Sequence, residues 1–215
     1  MNTKTLPTLK VCILGNTDVG KTCLSNKLIK NDKYVHNYLE EPTIGASFMC
    51  KTYKLNNKAY KINIWDTAGQ ERYRSLASMY YRDVVVAVIV YDITNYESWL
   101  DKDYWINKLR KNTPDSSILV VGNKYDLAER IKIDMSEIDE FTSLNPDIKH
   151  IFFSTKDKNS NSSKILDIIV DEYKDKIEKG ILFNIPLYET KKNSVALDKE
   201  RYWCSYTFNN IFGCC

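Results

Sequence analysis

Residues 15–22 read Gly15-Asn16-Thr17-Asp18-Val19-Gly20-Lys21-Thr22 and fit the spacing GxxxxGK[ST]. Glycines at those positions let the backbone curl until successive N–H groups face one phosphate, and a helix opening there adds positive potential. Lys21 offers a point charge for the β- and γ-phosphates, and the Thr22 hydroxyl is a Mg²⁺ ligand by type. Asp18, Val19, Gly20, Lys21, Thr22 and Cys23 are therefore the candidate phosphate cradle. A second block is Asn123-Lys124-Tyr125-Asp126. An Asp carboxylate in a pocket accepts two hydrogens from the N1–H and 2-amino edge of guanine. Adenine has no such donor pair, so it would leave a charge unpaired. A third block is Trp65-Asp66-Thr67-Ala68-Gly69-Gln70. There Asp66 suits Mg²⁺ through water, Gly69 permits close approach of a γ-phosphate, and Gln70 is placed to orient an attacking water.

Each block needs a strand to end beside it. Apolar runs over 10–14, 84–91, 118–121 and 150–153 read as buried parallel strands. Runs over 48–55 and 60–65 flank Asn56-Asn57 as a hairpin. Helical spacing appears over 21–30, 98–111 and 163–179, the last capped by Ser162 or Ser163 and stopped by Gly180. Strands alternating with helices imply an α/β fold: a mostly parallel six-stranded sheet flanked by helices on both faces. Sites then lie in loops at the C-terminal strand ends.

With the three blocks in their strand–loop context, the chain resembles the Ras superfamily of P-loop GTPases over 9–179, and more narrowly the Rabs. Ile44-Gly45-Ala46-Ser47-Phe48, Lys61-Ile62-Asn63-Ile64-Trp65, Arg72-Tyr73-Arg74-Ser75-Leu76, Met79-Tyr80-Tyr81-Arg82 and Ile89-Val90-Tyr91-Asp92-Ile93-Thr94 are similar to the five short segments that mark Rabs. The stretches 42–46 and 75–82 resemble the early-endosomal branch. The resemblance implies that Thr43 binds Mg²⁺ and the γ-phosphate in the GTP state. It also implies that Ser154-Thr155-Lys156 is the guanine-contacting loop and that Tyr34 sets an aromatic edge against the base. By the same resemblance Phe48, Trp65 and Tyr80 form the aromatic triad that effectors read. Implied cofactors are GTP or GDP and Mg²⁺. Implied partners are an exchange factor, a GTPase-activating protein, the Rab escort protein, a GDP-dissociation inhibitor and effectors.

The ending Gly213-Cys214-Cys215 resembles the double-cysteine prenylation site of Rabs, and no CaaX box is present. One lipid anchors marginally, whereas two hold stably, at about 0.8 kcal/mol per buried CH₂. After Gly180 the regular pattern fades. The division expected is a GTP-binding domain over 8–180 and a flexible tail over 181–215. The tail's Lys191, Lys192, Lys199 and Arg201 are nearly balanced by Glu189, Asp198 and Glu200, so both lipids should matter.

The charge balance, 31 basic against 28 acidic residues, does not mark a nucleic-acid binder. The start Met1-Asn2-Thr3-Lys4 lacks the apolar stretch of a signal peptide, and Asn2 stands where myristoylation needs glycine. The run 84–90 is too short to cross a bilayer. Cysteines 12, 23 and 50 have no zinc spacing and fit reduced thiols. The expected location is the cytoplasmic face of an endomembrane, endosomal by resemblance, with a cytosolic pool.

Several residues depart from the family pattern. Asp18 replaces a small uncharged residue in the phosphate loop, and Thr17 a frequent glycine. The stretch between Thr22 and Thr43 is longer than in relatives. Asp83 stands where glycine is usual, and Tyr125 is large for the base motif. Two readings follow: a slow GTPase whose two states differ around Thr43 and Gln70, or a nucleotide-loaded scaffold with little hydrolysis. Asn123, Lys124 and Asp126 oppose a third, an ATP-using enzyme.

Overall fold

A computed structural model describes residues 6–36, 41–70 and 77–182. Six strands, β1 (Thr8–Leu14), β2 (Ala46–Leu55), β3 (Lys58–Thr67), β4 (Val86–Asp92), β5 (Ser117–Asn123) and β6 (Lys149–Phe152), form one sheet in the order β2-β3-β1-β4-β5-β6. Only β2 runs antiparallel, against β3. The turn between them uses Asn56 and Asn57, both with positive φ, as a tight hairpin with right-handed strand twist requires.

Strand alternation sorts the core into two layers. In β1, Leu9, Val11 and Ile13 point to one face, where Leu24 and Leu28 of α1 (Lys21–Lys30) and Ile165 and Ile169 of α6 (Ser163–Glu178) cover them. Cys12 and Leu14 point to the other, under Trp99 of α3 (Tyr96–Leu100), Trp105 and Leu109 of α4 (Lys102–Asn112) and Phe141 of α5 (Met135–Leu144). The short α2 (Ala77–Tyr81) contributes Tyr81 to that second layer. Every residue of β4 is buried, which is why its run is continuously apolar.

Local chemistry explains where the sequence pattern and the structure differ. The single helix expected over 98–111 starts two residues earlier, because the Asn95 side chain accepts from the Ser98 amide, and it breaks into two at Asp101. Across that break the Lys102 ammonium lies 3.7 Å from the centre of the Trp99 ring. The helix 135–144 was not expected. It is capped by Asp134, whose carboxylate accepts from the Ser136 amide, and it buries only Ile138 and Phe141. Ser162, not Ser163, is the N-cap residue of α6, and its hydroxyl donates to Asn31 Oδ1 at 2.9 Å rather than to the helix. Gly180, at φ 69, ends α6 as expected. Among the described residues no helix is long and apolar enough to cross a membrane.

Candidate functional site

The C-terminal ends of β1, β3, β5 and β6 open onto a cavity of about 380 Å³, a volume typical of small-ligand sites. At one end lies the loop between β1 and α1. Gly15 and Gly20 both have positive φ, and a Cβ on Gly20 would collide with the Asn123 amide. Glycine is therefore required there for two independent reasons. Lys21 is buried, and its ammonium donates to Asn16 O at 2.6 Å. Burial pulls that ammonium down to about 8, while the carboxylates of Asp66 and Asp18 oppose the shift. A phosphate beside it would favour the charged form further. Gly69 comes so close that a Cβ would stand 2.6 Å from Asn16 O and from Thr17 N. Gln70 lines the same cavity as Thr43, Gly69 and Lys21.

Three oxygen-bearing side chains meet beneath that end. Thr22 Oγ1 donates to Asp66 Oδ2 at 2.7 Å and lies 2.9 Å from Thr43 Oγ1, which reaches the same carboxylate oxygen at 3.5 Å. Asp66 is fully buried. Two hydroxyls and a carboxylate are hard donors of the kind Mg²⁺ selects, so the set predicted from sequence fits that ion by chemistry and by proximity.

At the other end, Asn123 ties three segments together. Its Nδ2 donates to Val19 O at 2.8 Å, and its Oδ1 accepts from the Thr155 amide at 3.2 Å. Ser154 Oγ donates to Asp126 Oδ1 at 2.5 Å and accepts from the Asp157 amide at 2.9 Å. One carboxylate oxygen of Asp126 is thereby fixed. Lys124 sits at φ 65 with its ammonium 2.6 Å from Asp92 Oδ2. Tyr125 points away from the cavity and stacks on Phe152 at 4.8 Å between ring centres, which is how the motif tolerates so large a residue.

Asp18, Gly20, Lys21, Thr22, Cys23, Thr43, Gly69, Gln70, Asn123, Lys124, Asp126, Thr155 and Lys156 line the cavity. Val19, Asp66 and Ser154 stand behind it and hold its walls. Tyr34 is not among the lining residues. It is buried, with its hydroxyl 3.3 Å from Nδ1 of His36, and His36 reaches the cavity instead. Nothing in the sequence marks His36 for this place, because the long stretch before Thr43 carries no periodic signal. Phe48, Trp65 and Tyr80 form a continuous aromatic strip, with centroids 5.2 and 5.7 Å apart, flanked by the exposed Ile44 and Met79. Arg72 to Leu76 and Cys214 and Cys215 lie outside the described residues.

A GxxxxGK[ST] turn between a strand and a helix, a cluster of hydroxyl and carboxylate oxygens at a second strand end and an Asn-Lys-x-Asp turn at a third define a P-loop nucleotide-binding domain of the G-domain type. The chain belongs to the Ras family, whose family model matches residues 10–175. It is similar to human Ras-related protein Rab-31, 44% identical over 134 residues, or 62% of this chain and 67% of that one. It is also similar to human Ras-related protein Rab-22A, 43% identical over 155 residues, or 71% and 76%. Putative ras-related protein Rab-5B of Dictyostelium discoideum is 40% identical over 135 residues, 62% of this chain and 61% of that one. The protein is a Rab-type small GTPase that binds guanine nucleotide and acts in vesicle trafficking.

Two departures from the family acquire a physical explanation. Asp18 and Asp83 occupy left-handed backbone, at φ 62 and φ 56, a region glycine favours and Asp tolerates better than most residues. Asp18 is exposed on the cavity rim. Its carboxylate repels a bound diphosphate by on the order of 1 kcal/mol at an effective dielectric near 20. Asp18→Asn keeps the backbone tolerance and removes the charge. It should slow GDP release by a few-fold to about tenfold at low salt, less at high salt. Stopped-flow displacement of a fluorescent GDP analogue measures this, and equal off-rates at low salt would make Asp18 electrostatically neutral.

Proposed function

We propose that this GTPase is a membrane-tethered switch that hydrolyses GTP slowly and recruits effectors only while GTP is bound, at an endosomal membrane. The observation that carries the hydrolytic part is the meeting of Thr22, Thr43 and Asp66 oxygens below a cavity edged by Gln70 and Lys21. Thr22 and Thr43 would hold Mg²⁺, with Asp66 acting through water, and the ion would neutralise charge on the β- and γ-phosphates. Lys21 and the backbone N–H groups of residues 18–23 bind the phosphates, and Gly69 leaves room for the γ-phosphate. Gln70 orients the attacking water. Thr43 belongs to the Mg²⁺ set only when its loop is drawn in. The GTP state therefore orders the segment before Phe48 and settles the surface around Phe48, Trp65 and Tyr80.

Asn123 and Asp126 select guanine, with Ser154, Thr155 and Lys156 closing the base side, Lys124 supporting it and Tyr34 acting from behind His36. The rest extends the Rab resemblance to regulation and lipid handling. An exchange factor and an activating protein set the cycle, and the escort protein and GDP-dissociation inhibitor handle the lipidated form. The tail, 181–215, carries the anchor on Cys214 and Cys215, with a GDP-loaded pool in the cytosol.

Fractionation of cells expressing the tagged chain tests the tether. Replacing Cys214 and Cys215 together with serine should move the protein to the soluble fraction, and replacing either alone should weaken retention, since one chain anchors marginally and no polybasic stretch assists it. Membrane association that persists in the double variant contradicts the lipid anchor.

A further inference from the structure

Lys27 lies on α1 and is only 4% exposed. A buried ammonium is costly unless its donors are satisfied. Its Nζ donates to the carbonyl oxygens of Ser154 at 3.1 Å and Thr155 at 3.4 Å and to that of Asp157. It also lies 5.3 Å from the centre of the Phe153 ring. Three donors therefore meet three backbone acceptors of one short loop.

In a trans peptide the C=O and the following N–H point in opposite directions, and among the described residues no peptide is cis. A carbonyl of Ser154 turned to Lys27 sends the Thr155 amide the other way, where it donates to Asn123 Oδ1 at 3.2 Å. A carbonyl of Thr155 turned to Lys27 likewise sends the Lys156 amide away from α1. Thr155 and Lys156 line the cavity on that side. An N–H donor there complements the 6-oxo group of guanine and opposes the 6-amino group of an adenine-like base.

We propose that Lys27 is a positioning residue for base selection: by holding the carbonyls of Ser154, Thr155 and Asp157 against α1, it seats the Thr155 amide on Asn123 and aims the Lys156 amide at the 6-position of the purine. Asp126 reads the 1- and 2-positions, so the two elements divide recognition of the base between them. The inference rests on the guanine-pocket reading given above.

The test uses the full chain and displacement of a fluorescent GDP analogue by GDP, IDP, ADP and 2,6-diaminopurine riboside diphosphate. IDP lacks the 2-amino group, and the diaminopurine nucleotide carries 6-amino in place of 6-oxo. In Lys27→Met, which keeps length and helix propensity, the preference for GDP over the diaminopurine nucleotide should shrink by about tenfold, the scale of one misdirected hydrogen bond. The preference for GDP over IDP should stay within about twofold, because Asp126 is untouched. Lys27→Arg should recover part of the loss. If Lys27→Met does not fold, Lys27→Gln, which keeps an N–H donor, should give the same sign with smaller size. Equal weakening of every nucleotide, or no change in the GDP-to-diaminopurine ratio, overturns the proposal by leaving Lys27 a general structural contact. A wild type that does not prefer GDP over ADP overturns the pocket reading itself, and this inference with it.

Discussion

Asp126→Asn should lose GDP affinity by a factor on the order of 10⁴, and gain xanthosine diphosphate as its preferred ligand. The carboxylate accepts two hydrogens from guanine through charge-assisted bonds, roughly twice as strong as neutral ones. An amide at the same place can accept only one. The geometry also sets which way that amide faces. Ser154 Oγ already accepts from the Asp157 amide and donates to Asp126 Oδ1. In the variant the same hydroxyl holds the amide oxygen and leaves the NH₂ group toward the base. An NH₂ there meets the donors of guanine head-on and suits the 2-oxo group of xanthine. Competition among GDP, XDP and ADP measures the switch. Retention of full GDP preference by Asp126→Asn would remove Asp126 from base recognition.

Gln70→Leu should abolish most of the rate that an activating protein adds, a factor of about 10³–10⁵ in this chemistry, while leaving GDP affinity unchanged. Gln70 lines the same cavity as Thr43 and Gly69. Leucine fills a similar volume but offers neither a donor nor an acceptor to water. The variant should therefore accumulate in the GTP form. Single-turnover phosphate release, with and without an activating protein that stimulates the wild type, gives the number. An unchanged stimulated rate would exclude Gln70 as the group that orients water.

The loop after β1 and its strand-to-helix setting were legible in the sequence because their chemistry is local. The loop 15–22 needs glycine at fixed spacing and a helix behind it, and α1 begins and ends where the pattern places it. The sheet was legible because β4 and β5 are buried on both faces and carry continuous apolar runs. The base end was legible only in part. Nothing in the string of residues joins Lys27 to carbonyls more than 120 positions away, since a lysine on a helix ordinarily reads as a solvated face. The exchange of Tyr34 for His36 at the cavity wall follows from the path of a long aperiodic segment, which no spacing rule constrains. Helix 135–144 escaped because it buries two side chains and rests on a cap at Asp134, and the break at Asp101 because the apolar positions continue across it. The positive φ of Asp18 and Asp83 was hidden for the opposite reason: Asp tolerates left-handed backbone, so no glycine marks either position.

Guanine-specific binding followed by slow hydrolysis of the γ-phosphate is tested most directly by a single-turnover experiment on the full chain, loaded with equimolar γ-labelled GTP and ATP, freed of unbound nucleotide, and followed after addition of Mg²⁺. Guanine nucleotide should be retained in large excess over adenine nucleotide. Bound GTP should convert slowly to bound GDP with one phosphate released per site. Comparable retention of ATP, or GTP that stays intact both alone and with an activating protein, would contradict a guanine-specific GTPase site.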